Sequence, residues 1–218
     1  MISILYRDAQ VVVCVKPSGV VSQDAGEGSL PQMLKKQLGT DYVAAVHRLD
    51  REVGGVMVYA LSREAAAGLS QSVQEHTLEK RYLAVLCGTP DEKEAVLEDL
   101  LYHDKQRNKT FVVSRERKGV KPARLSYRLL LTGSDRSLVD VKLDTGRTHQ
   151  IRVQFSSRKM ALSGDRKYGG SAGPMGLWSF RLSFPHPITG KTMSFTEFPP
   201  VTAPWDLFDM EQVCSRLH

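Results

Sequence analysis

Val46-His47-Arg48-Leu49-Asp50-Arg51 is the stretch around which the rest of the sequence is organised. Its single carboxylate, Asp50, stands between Arg48 and Arg51, and apolar sequence lies on both sides. A nearby cation favours the charged form of a carboxyl group, so Asp50 is expected to stay ionised. An ionised aspartate can attack an electron-poor carbon or accept a proton. Because such clusters also occur on surfaces without any catalytic role, the hexapeptide by itself leaves both interpretations open.

The composition of the 218-residue chain is that of an ordinary globular protein, with 41% hydrophobic and 25% charged residues. No apolar run is long enough to span a bilayer and the N-terminus does not resemble a signal peptide, so we expect a cytoplasmic protein without a membrane partner. Three widely spaced cysteines indicate neither a disulfide framework nor a zinc site. A net charge of +6 modestly favours a polyanionic partner.

Short strands alternate with helices along the whole sequence. β-Branched and apolar runs bounded by turn residues predict strands at 4–6, 11–15, 56–61, 80–87, 125–131, 137–143, 178–184 and 192–198. Apolar residues at helical spacing predict helices at 30–38, 63–77 and 148–160, and the tail 203–218 is expected to hold a short one. Ser29 and Ser62 are candidate N-caps. Without a repeat or a linker, this pattern predicts one α+β domain over residues 1–218, with a mixed, mostly antiparallel sheet flanked by helices.

Residues 103–121, which we call the basic segment, are rich in cations. They include two acids, Asp104 and Glu116, and seven basic residues: Lys105, Arg107, Lys109, Arg115, Arg117, Lys118 and Lys121. A short β-forming run in the middle suggests a ribbon with a basic surface. Such a ribbon can contact phosphates, or it can be a solvated hairpin whose edge charges prevent aggregation. The excess of cations favours the phosphate-contacting interpretation.

Two further clusters contain residue types that can act on nucleic acid. One is Lys80-Arg81-Tyr82, and the other is Thr145-Gly146-Arg147-Thr148-His149-Gln150-Ile151-Arg152-Val153. On a helix, Arg147 and Arg152 would point about 140° apart, so we expect different roles for them. The sequence contains no phosphate-binding loop, dinucleotide fingerprint, nucleophile elbow or metal-ligand spacing. Any chemistry is therefore expected to proceed without a metal or a cofactor.

The sequence resembles the RluA-type RNA pseudouridine synthases. The matching segments follow the family's order from residue 4 to about 190, and the His-Arg-Leu-Asp and Gly-Arg-Thr-His-Gln-Ile-Arg segments are specific in combination. The segments are Ile4-Leu5-Tyr6, Val15-Lys16-Pro17-Ser18-Gly19, His47–Arg51, Glu79–Val85, Thr145–Val153, Gly164-Asp165, Tyr168-Gly169-Gly170 and His186-Pro187.

The resemblance implies the pseudouridine synthase fold, with an active-site cleft across the sheet, and isomerisation of uridine in ribosomal or transfer RNA without a cofactor. It implies a catalytic Asp50, an active-site Tyr82 that stacks on the base and assists proton transfer, and an arginine paired with Asp50. We choose Arg152 for that pairing, with Arg147 as the second candidate. Asp50 would attack C1′ or help form a glycal by removing a ribose proton, and both routes stay open. RNA contacts are expected from His47, Arg48, Arg51, Lys105, Arg107, Lys109, Arg147, His149 and Gln150, of which His47 and Arg48 would mainly shape the loop.

The chain departs from the usual family text at two places. Val53-Gly54-Gly55 stands where a Thr-Ser-Gly-like turn is common, and the lost hydroxyl is expected to be tolerated. Trp178-Ser179-Phe180 replaces a Leu-His-Ala-like segment, which should change local packing. The accessory S4 domain of many relatives is expected to be absent, so that targeting depends on the loops of a monomeric catalytic domain.

Two other classes of protein would explain parts of the sequence. A non-catalytic RNA-binding or RNA-folding protein would keep the basic segment but would not need Asp50, Tyr82 and Arg152 together. Hydrolysis of a glycoside or nucleoside usually needs two cooperating carboxylates. Asp144 and Asp165 are candidates for the second, but each resembles a turn residue.

Overall fold

The computed structural model describes residues 1–217, and the chain divides into two compact units. Unit 1 comprises Met1–Arg81 and Trp178–Pro199. Unit 2 comprises Tyr82–Leu177 and Pro200–His218, of which His218 lies outside the described residues. The expectation of one domain over residues 1–218 stays a prediction.

The secondary structure follows the predicted alternation. The strands are β1 (Ser3–Arg7), β2 (Val11–Lys16), β3 (Ala44–Ala45), β4 (Gly54–Ala60), β5 (Glu79–Cys87), β6 (Glu94–Asp104), β7 (Lys109–Val113), β8 (Val120–Thr132), β9 (Arg136–Leu143), β10 (Leu177–Pro185) and β11 (Thr192–Thr196). The helices are α1 (Leu30–Leu38), α2 (Arg63–Gln74), α3 (Gln150–Ser156) and α4 (Met210–Leu217). The fold is therefore α+β, as predicted, although the predicted tail 203–218 ends on a residue outside the described part.

Two helices are shorter than their patterns suggested. Helix α2 ends at Gln74 rather than 77, and His76 has a φ of 58°. Helix α3 begins after His149, which has a φ of 54°, and ends before Lys159, which has a φ of 62°. These left-handed backbone conformations cannot continue a right-handed helix.

The two predicted N-caps behave differently. The hydroxyl of Ser62 accepts a hydrogen bond from the Ala65 N–H at 3.0 Å, as predicted. Ser29 is also the N-cap residue, as predicted, but its hydroxyl makes no capping bond and is buried without a hydrogen-bond partner in the described residues. Pro31 lies in the first turn of α1, where its fixed φ already favours the helix.

Unit 1 is built on a mixed sheet in which β4 is buried at every residue. Its strand order is β1-β2-β4-β10, with β11 beside β10 and β3 beside β4. The pairs are antiparallel except for β4 with β10, which is parallel. Valines of β2 and β4 pack with Leu69 of α2 and with Leu182 and Phe184 of β10. The sheet is thus mixed and mostly antiparallel, as predicted, and β4 fixes the end of the loop that carries Asp50.

The two departures from the usual family text lie opposite each other in this sheet. Trp178 pairs with Gly54, and Ser179 pairs with Gly55. A Cβ atom on Gly54 would lie 2.3 Å from the Trp178 ring, and one on Gly55 would lie 2.2 Å from the Ser179 carbonyl oxygen. Gly55 also has a φ of 122°, which only glycine adopts readily. The missing side chain at Gly54 therefore makes room for the Trp178 ring.

Unit 2 contains the strands in the order β5-β9-β8-β6-β7, and β8 pairs antiparallel with both β9 and β6. Most of β6 was not predicted as a strand. Its fully covered apolar residues, Leu97 and Leu101, are four positions apart, which resembles helical spacing as much as strand alternation. Leu101, Ala123, Val153 and Tyr168 form a small core that places α3 against this part of the sheet.

Candidate functional site

Asp50 lies in an irregular loop of unit 1, directly before β4. Its carbonyl oxygen accepts a hydrogen bond from the Val53 N–H at 3.0 Å, which closes a turn over Arg51 and Glu52. Leu49 is buried, whereas Asp50 itself is half-buried. The loop therefore anchors its apolar residue and keeps the neighbouring carboxylate partly accessible.

Buried polar side chains hold this loop from below. The Ser22 hydroxyl donates to the Leu49 carbonyl at 2.8 Å and accepts from the Leu49 N–H at 3.2 Å. The Tyr59 hydroxyl of β4 in turn donates to the Ser22 carbonyl at 2.7 Å. At the exposed side of the loop, the Ser18 hydroxyl donates to the Glu52 carbonyl at 2.7 Å. The backbone on both sides of Asp50 is thus held in place.

Lys16 supports the loop through three hydrogen bonds. Its side chain is fully buried, and its ammonium group donates to the carbonyls of Pro17, Val20 and Arg51 at 2.9, 2.7 and 3.0 Å. Burial lowers the pKa of Lys16 to about 8, while the negative charges of Glu52 and Asp50 oppose that shift. Lys16 belongs to a segment that matches the family, but its sequence pattern did not predict this role. The turn residues that follow its strand are the one local signal for it.

His47 is also part of the support. Its ring is buried, and its Nε2 accepts a hydrogen bond from the Val58 N–H of β4 at 3.2 Å. Burial, with a smaller effect of Lys80, lowers the pKa of His47 to about 3, so the ring is neutral at physiological pH. This burial fits a role in shaping the loop, and contact of the His47 ring with RNA stays a prediction. Arg48 and Arg51 are exposed and keep that possibility.

Tyr82 and Arg152 belong to unit 2. Tyr82 lies in β5 and is 5% exposed. Arg152 lies in α3, and its Nε and Nη2 donate to the two carboxylate oxygens of Asp165 at 2.7 and 2.8 Å. Asp165 does follow a turn, but it is completely buried and ion-paired, which its turn-like sequence did not indicate. The pairing of Arg152 with Asp50 of unit 1 stays a prediction.

The residues just before α3 do not continue the helix on which the angle between Arg147 and Arg152 was predicted. Arg147 precedes the helix, so its direction does not follow from a helical angle. Its Nε donates to the Pro122 carbonyl at 2.9 Å. The Gln150 amide oxygen accepts from the Thr145 hydroxyl and the Arg147 N–H at 2.9 and 3.0 Å.

Gln150 and His149 are 3% and 8% exposed, respectively. The Gln150 amide group donates to the Arg124 carbonyl at 3.0 Å. Both are buried beside the start of α3, and their expected contacts with RNA stay a prediction. The residue types are common in RNA sites, and the sequence alone does not distinguish a buried amide from an exposed one.

The basic segment is a hairpin followed by a crossover rather than a simple ribbon, because β7 and β8 lie on opposite sides of β6. It comprises the end of β6, all of β7 and the start of β8, and both β7 and β8 pair with β6. Because Val120 lies opposite Tyr102, the loop 114–119 returns to the same end of the sheet as the turn 105–108. Lys105 and Arg107 are exposed, and the Arg117 guanidinium lies 4.8 Å from the centre of the Tyr102 ring. Cations from two loops therefore gather at one end of unit 2.

Neither a metal-binding cluster nor a membrane-spanning helix is found in residues 1–217. No group of three or more His, Cys, Asp or Glu side chains in this range is placed to hold a metal ion. No helix in the same range is both long and apolar enough to cross a membrane.

The sequence matches a family model described as RNA pseudouridylate synthase over residues 10–157, a range that includes Asp50, Tyr82 and Arg152. The "Ribosomal large subunit pseudouridine synthase D" of Zymomonas mobilis is 31% identical over 89% of this chain and 68% of its own length. The protein of that name from Neisseria meningitidis serogroup A is 32% identical, but the chain spans only 57% of its length. An "Uncharacterized RNA pseudouridine synthase" of Aquifex aeolicus is 33% identical over 92% of this chain and 70% of its own length.

The fold also matches solved structures. Human RNA Pseudouridylate Synthase Domain Containing 1 is 24% identical, with a TM-score of 0.80, and the match covers 100% of this chain and 94% of that one. Human RNA Pseudouridylate Synthase Domain Containing 4 is 23% identical over 91% of this chain and 88% of that one, with a TM-score of 0.76.

Proposed function

The chain belongs to the RNA pseudouridylate synthase family, and we propose from this premise that it isomerises uridine to pseudouridine within RNA. In this reaction the bond between N1 of uracil and C1′ of ribose breaks. The base turns and C5 bonds to C1′, after which the proton on C5 leaves to a base or to water and N1 takes up a proton. No atom is gained or lost, so the reaction requires positioned groups rather than an external reductant or energy source.

One observation supports Asp50 as the catalytic carboxylate. The backbone on both sides of this half-buried residue is bound by buried groups, Ser22 before it and Lys16 after it. A fixed backbone lowers the entropic cost of presenting the carboxylate to one substrate atom. Asp50 either attacks C1′ or removes a ribose proton to form a glycal, and both routes need an ionised carboxylate at the ribose.

Tyr82 and Arg152 have complementary roles in this proposal. Tyr82, in β5, stacks on the detached uracil and its phenol assists the proton transfer at C5. Arg152 pairs with the Asp50 carboxylate and keeps it charged. Their presence in the family-matched range supports these roles, and the first residue to test is Asp50.

RNA binding is assigned to the exposed cations. The nucleotide must leave its stack to reach Asp50, which costs on the order of a few kcal/mol. Phosphate contacts offset that cost. The candidates are the exposed Arg48 and Arg51 in unit 1 and the cations of the basic segment in unit 2, which are exposed except for the half-buried Lys109.

Ribosomal RNA is the first substrate to test, because the relatives from Zymomonas and Neisseria carry "ribosomal large subunit" in their names. Transfer RNA is the second. Action on either RNA would place the protein in the cytoplasm, and we expect it to act as a monomer. Mapping pseudouridine in cellular RNA with and without the gene identifies the modified uridine.

The test of the catalytic proposal is tritium release from RNA that contains 5-tritiated uridine. Asp50→Asn should reduce release to background while RNA binding stays close to wild type, because the amide keeps the shape but cannot act as a nucleophile or base. Asp41→Asn, which neutralises an exposed acid of the same unit, is the matched control. Release by Asp50→Asn at the rate of Asp41→Asn would reject Asp50 as the catalytic residue.

A further inference from the structure

The segment Gly164–Gly170 is shaped to bury one carboxylate. The Asp165 N–H donates to the Leu162 carbonyl at 3.1 Å, and the Asp165 carbonyl accepts from the N–H groups of Tyr168 and Gly170 at 3.1 and 2.8 Å. A Cβ atom on Gly170 would lie 2.0 Å from the Leu162 carbonyl oxygen, so only glycine lets the segment close this tightly. The Asp165 side chain is 0% exposed.

The buried carboxylate binds one edge of a guanidinium group. The two atoms that Asp165 contacts, Nε and Nη2 of Arg152, form that edge. Removing two charges from water is costly, and a buried ion pair often adds little to stability compared with apolar packing. A bidentate pair does, however, fix the plane and direction of the guanidinium. The arrangement is therefore better suited to orienting Arg152 than to stabilising the fold.

Tyr168 holds the same guanidinium from another side. Its ring centre lies 5.1 Å from Cζ of Arg152, within the range of a cation–π contact. Its hydroxyl accepts from the Thr110 N–H of β7 at 2.7 Å and lies 2.8 Å from Nδ1 of His149. Since these bonds attach the phenol to both β7 and the residue before α3, the ring has a fixed position.

We propose that Asp165 and Tyr168 are positioning residues that hold the Arg152 guanidinium in one orientation. Their consequence for catalysis rests on the proposed function. With Asp165 on one edge and Tyr168 against the guanidinium, Arg152 can present its remaining donors to a second carboxylate without first being ordered. The two residues raise the rate of base detachment through Arg152 and do not touch the substrate.

The first measurement follows Arg152 directly and needs no activity. In the full chain labelled with ¹⁵N, the Nε–H signal of Arg152 is identified by its loss in Arg152→Lys. We expect the Nε proton of Arg152 to exchange slowly with solvent in the wild type and rapidly in Asp165→Asn. In Tyr168→Leu its exchange rate should be intermediate. Tyr168→Phe keeps the ring and should lie closest to the wild type.

The second measurement is single-turnover conversion of a substrate RNA, scaled to the folded fraction of each variant. Asp165→Asn should lower the rate constant about 100-fold while RNA affinity stays within about threefold, because a misplaced group reduces reactivity more than binding. Asp99→Asn is the control, since Asp99 also binds an arginine through both carboxylate oxygens, which accept from Nη1 and Nη2 of Arg158 at 2.8 and 3.2 Å. Tyr127→Phe is the control for loss of a hydrogen-bonded phenol, whose hydroxyl donates to the Glu92 carbonyl.

The outcomes separate the two proposals. Wild-type protein that modifies no RNA would reject the proposed function, and the Arg152 signal would still decide whether Asp165 and Tyr168 hold the guanidinium. An Arg152 signal unchanged in both Asp165→Asn and Tyr168→Leu would overturn the positioning role. An Asp165→Asn rate equal to that of Asp99→Asn would overturn its consequence for catalysis.

Discussion

The Asp50 loop of unit 1 and the Arg152 site of unit 2 each hold a charged side chain, but they do so in opposite ways. In unit 1 the support is a buried cation, Lys16, that donates to three backbone carbonyls around the loop. In unit 2 the support is a buried carboxylate, Asp165, that binds the side chain of Arg152 itself.

The difference shows how the means of support depends on what the supported group must do. In unit 1 the hydrogen bonds of Ser22 and Lys16 fix the backbone around Asp50, whose carboxylate has to reach the substrate. A guanidinium has donors on more than one edge, so unit 2 can bind one edge and leave the others to different partners. If this contrast holds, variants of the Asp50 loop, the His47 ring and the basic segment should have effects that decrease in that order.

The largest effect should come from removing the support of the Asp50 loop. Lys16→Met keeps the length of the side chain but loses all of its donors, so turnover should fall about 100-fold or more as the carboxylate loses its position. The free energy of unfolding should change much less, because loss of a buried cation and loss of its hydrogen bonds have opposite effects. Lys36→Met, at an exposed lysine of the same unit, is the control. Equal turnover in the two variants would show that the loop does not depend on Lys16.

An intermediate effect should appear as acid sensitivity of unit 1. His47 is neutral in the folded protein because burial lowers its pKa from 6.5 to about 3. The unfolded chain binds a proton below about 6.5 and the folded chain does not, so stability is lost as the pH falls through this window. Between about pH 7 and about pH 5 this contributes a loss of about 2 kcal/mol in the free energy of unfolding.

Urea unfolding at the two pH values measures this loss. In His47→Gln the contribution should be absent, so the variant should lose about 2 kcal/mol less than the wild type over the same interval. If wild type and variant lose stability in parallel, the acid sensitivity arises elsewhere and the neutral ring is not its source.

The smallest effect should come from the basic segment, which binds RNA without touching the reacting base. Neutralising Lys105, Arg107 and Lys109 to Gln should weaken RNA binding about tenfold at moderate salt. The slope of the logarithm of the binding constant against the logarithm of the salt concentration should become smaller by about two to three, because fewer counterions are released. The single-turnover rate at saturating RNA should stay unchanged. An equal change of charge outside the segment, at Lys36, Lys93 and Lys191, is the control. An identical salt dependence in both triple variants would remove the basic segment from the RNA interface.

The sequence predicted the elements of this fold well where the local pattern and the tertiary environment agree. The β-branched runs at β2 and β4 are buried strands, and Ser62 caps α2 as expected. Prediction failed where the backbone departs from regular geometry without a glycine or proline to mark it. The left-handed backbone conformation of His149 shortens α3, and no residue type next to it in the sequence indicates this conformation.

The candidate site was less predictable, because burial of a polar residue depends on distant partners. Asp165 follows a glycine and precedes basic residues, which is a normal turn composition, yet it is buried against an arginine 13 positions away. Lys16 ends a strand and is fully buried, although lysine is among the residues most rarely buried. Sequence identified Asp50 and Arg152 as candidates, but the groups that hold them in place required the structure.

The contact between Gly54 and Trp178 restricts how this chain can change over evolutionary time. A serine at position 54, the residue type that the resemblance to the RluA-type family implies there, would place its Cβ atom 2.3 Å from the Trp178 ring. Trp178 would have to be replaced by a smaller residue, or its ring would have to move, before position 54 could carry a side chain. A side chain at position 54 therefore requires that residue 178 change first. A substitution at position 54 alone would therefore test the steric contact with Trp178 rather than the chemistry of Asp50.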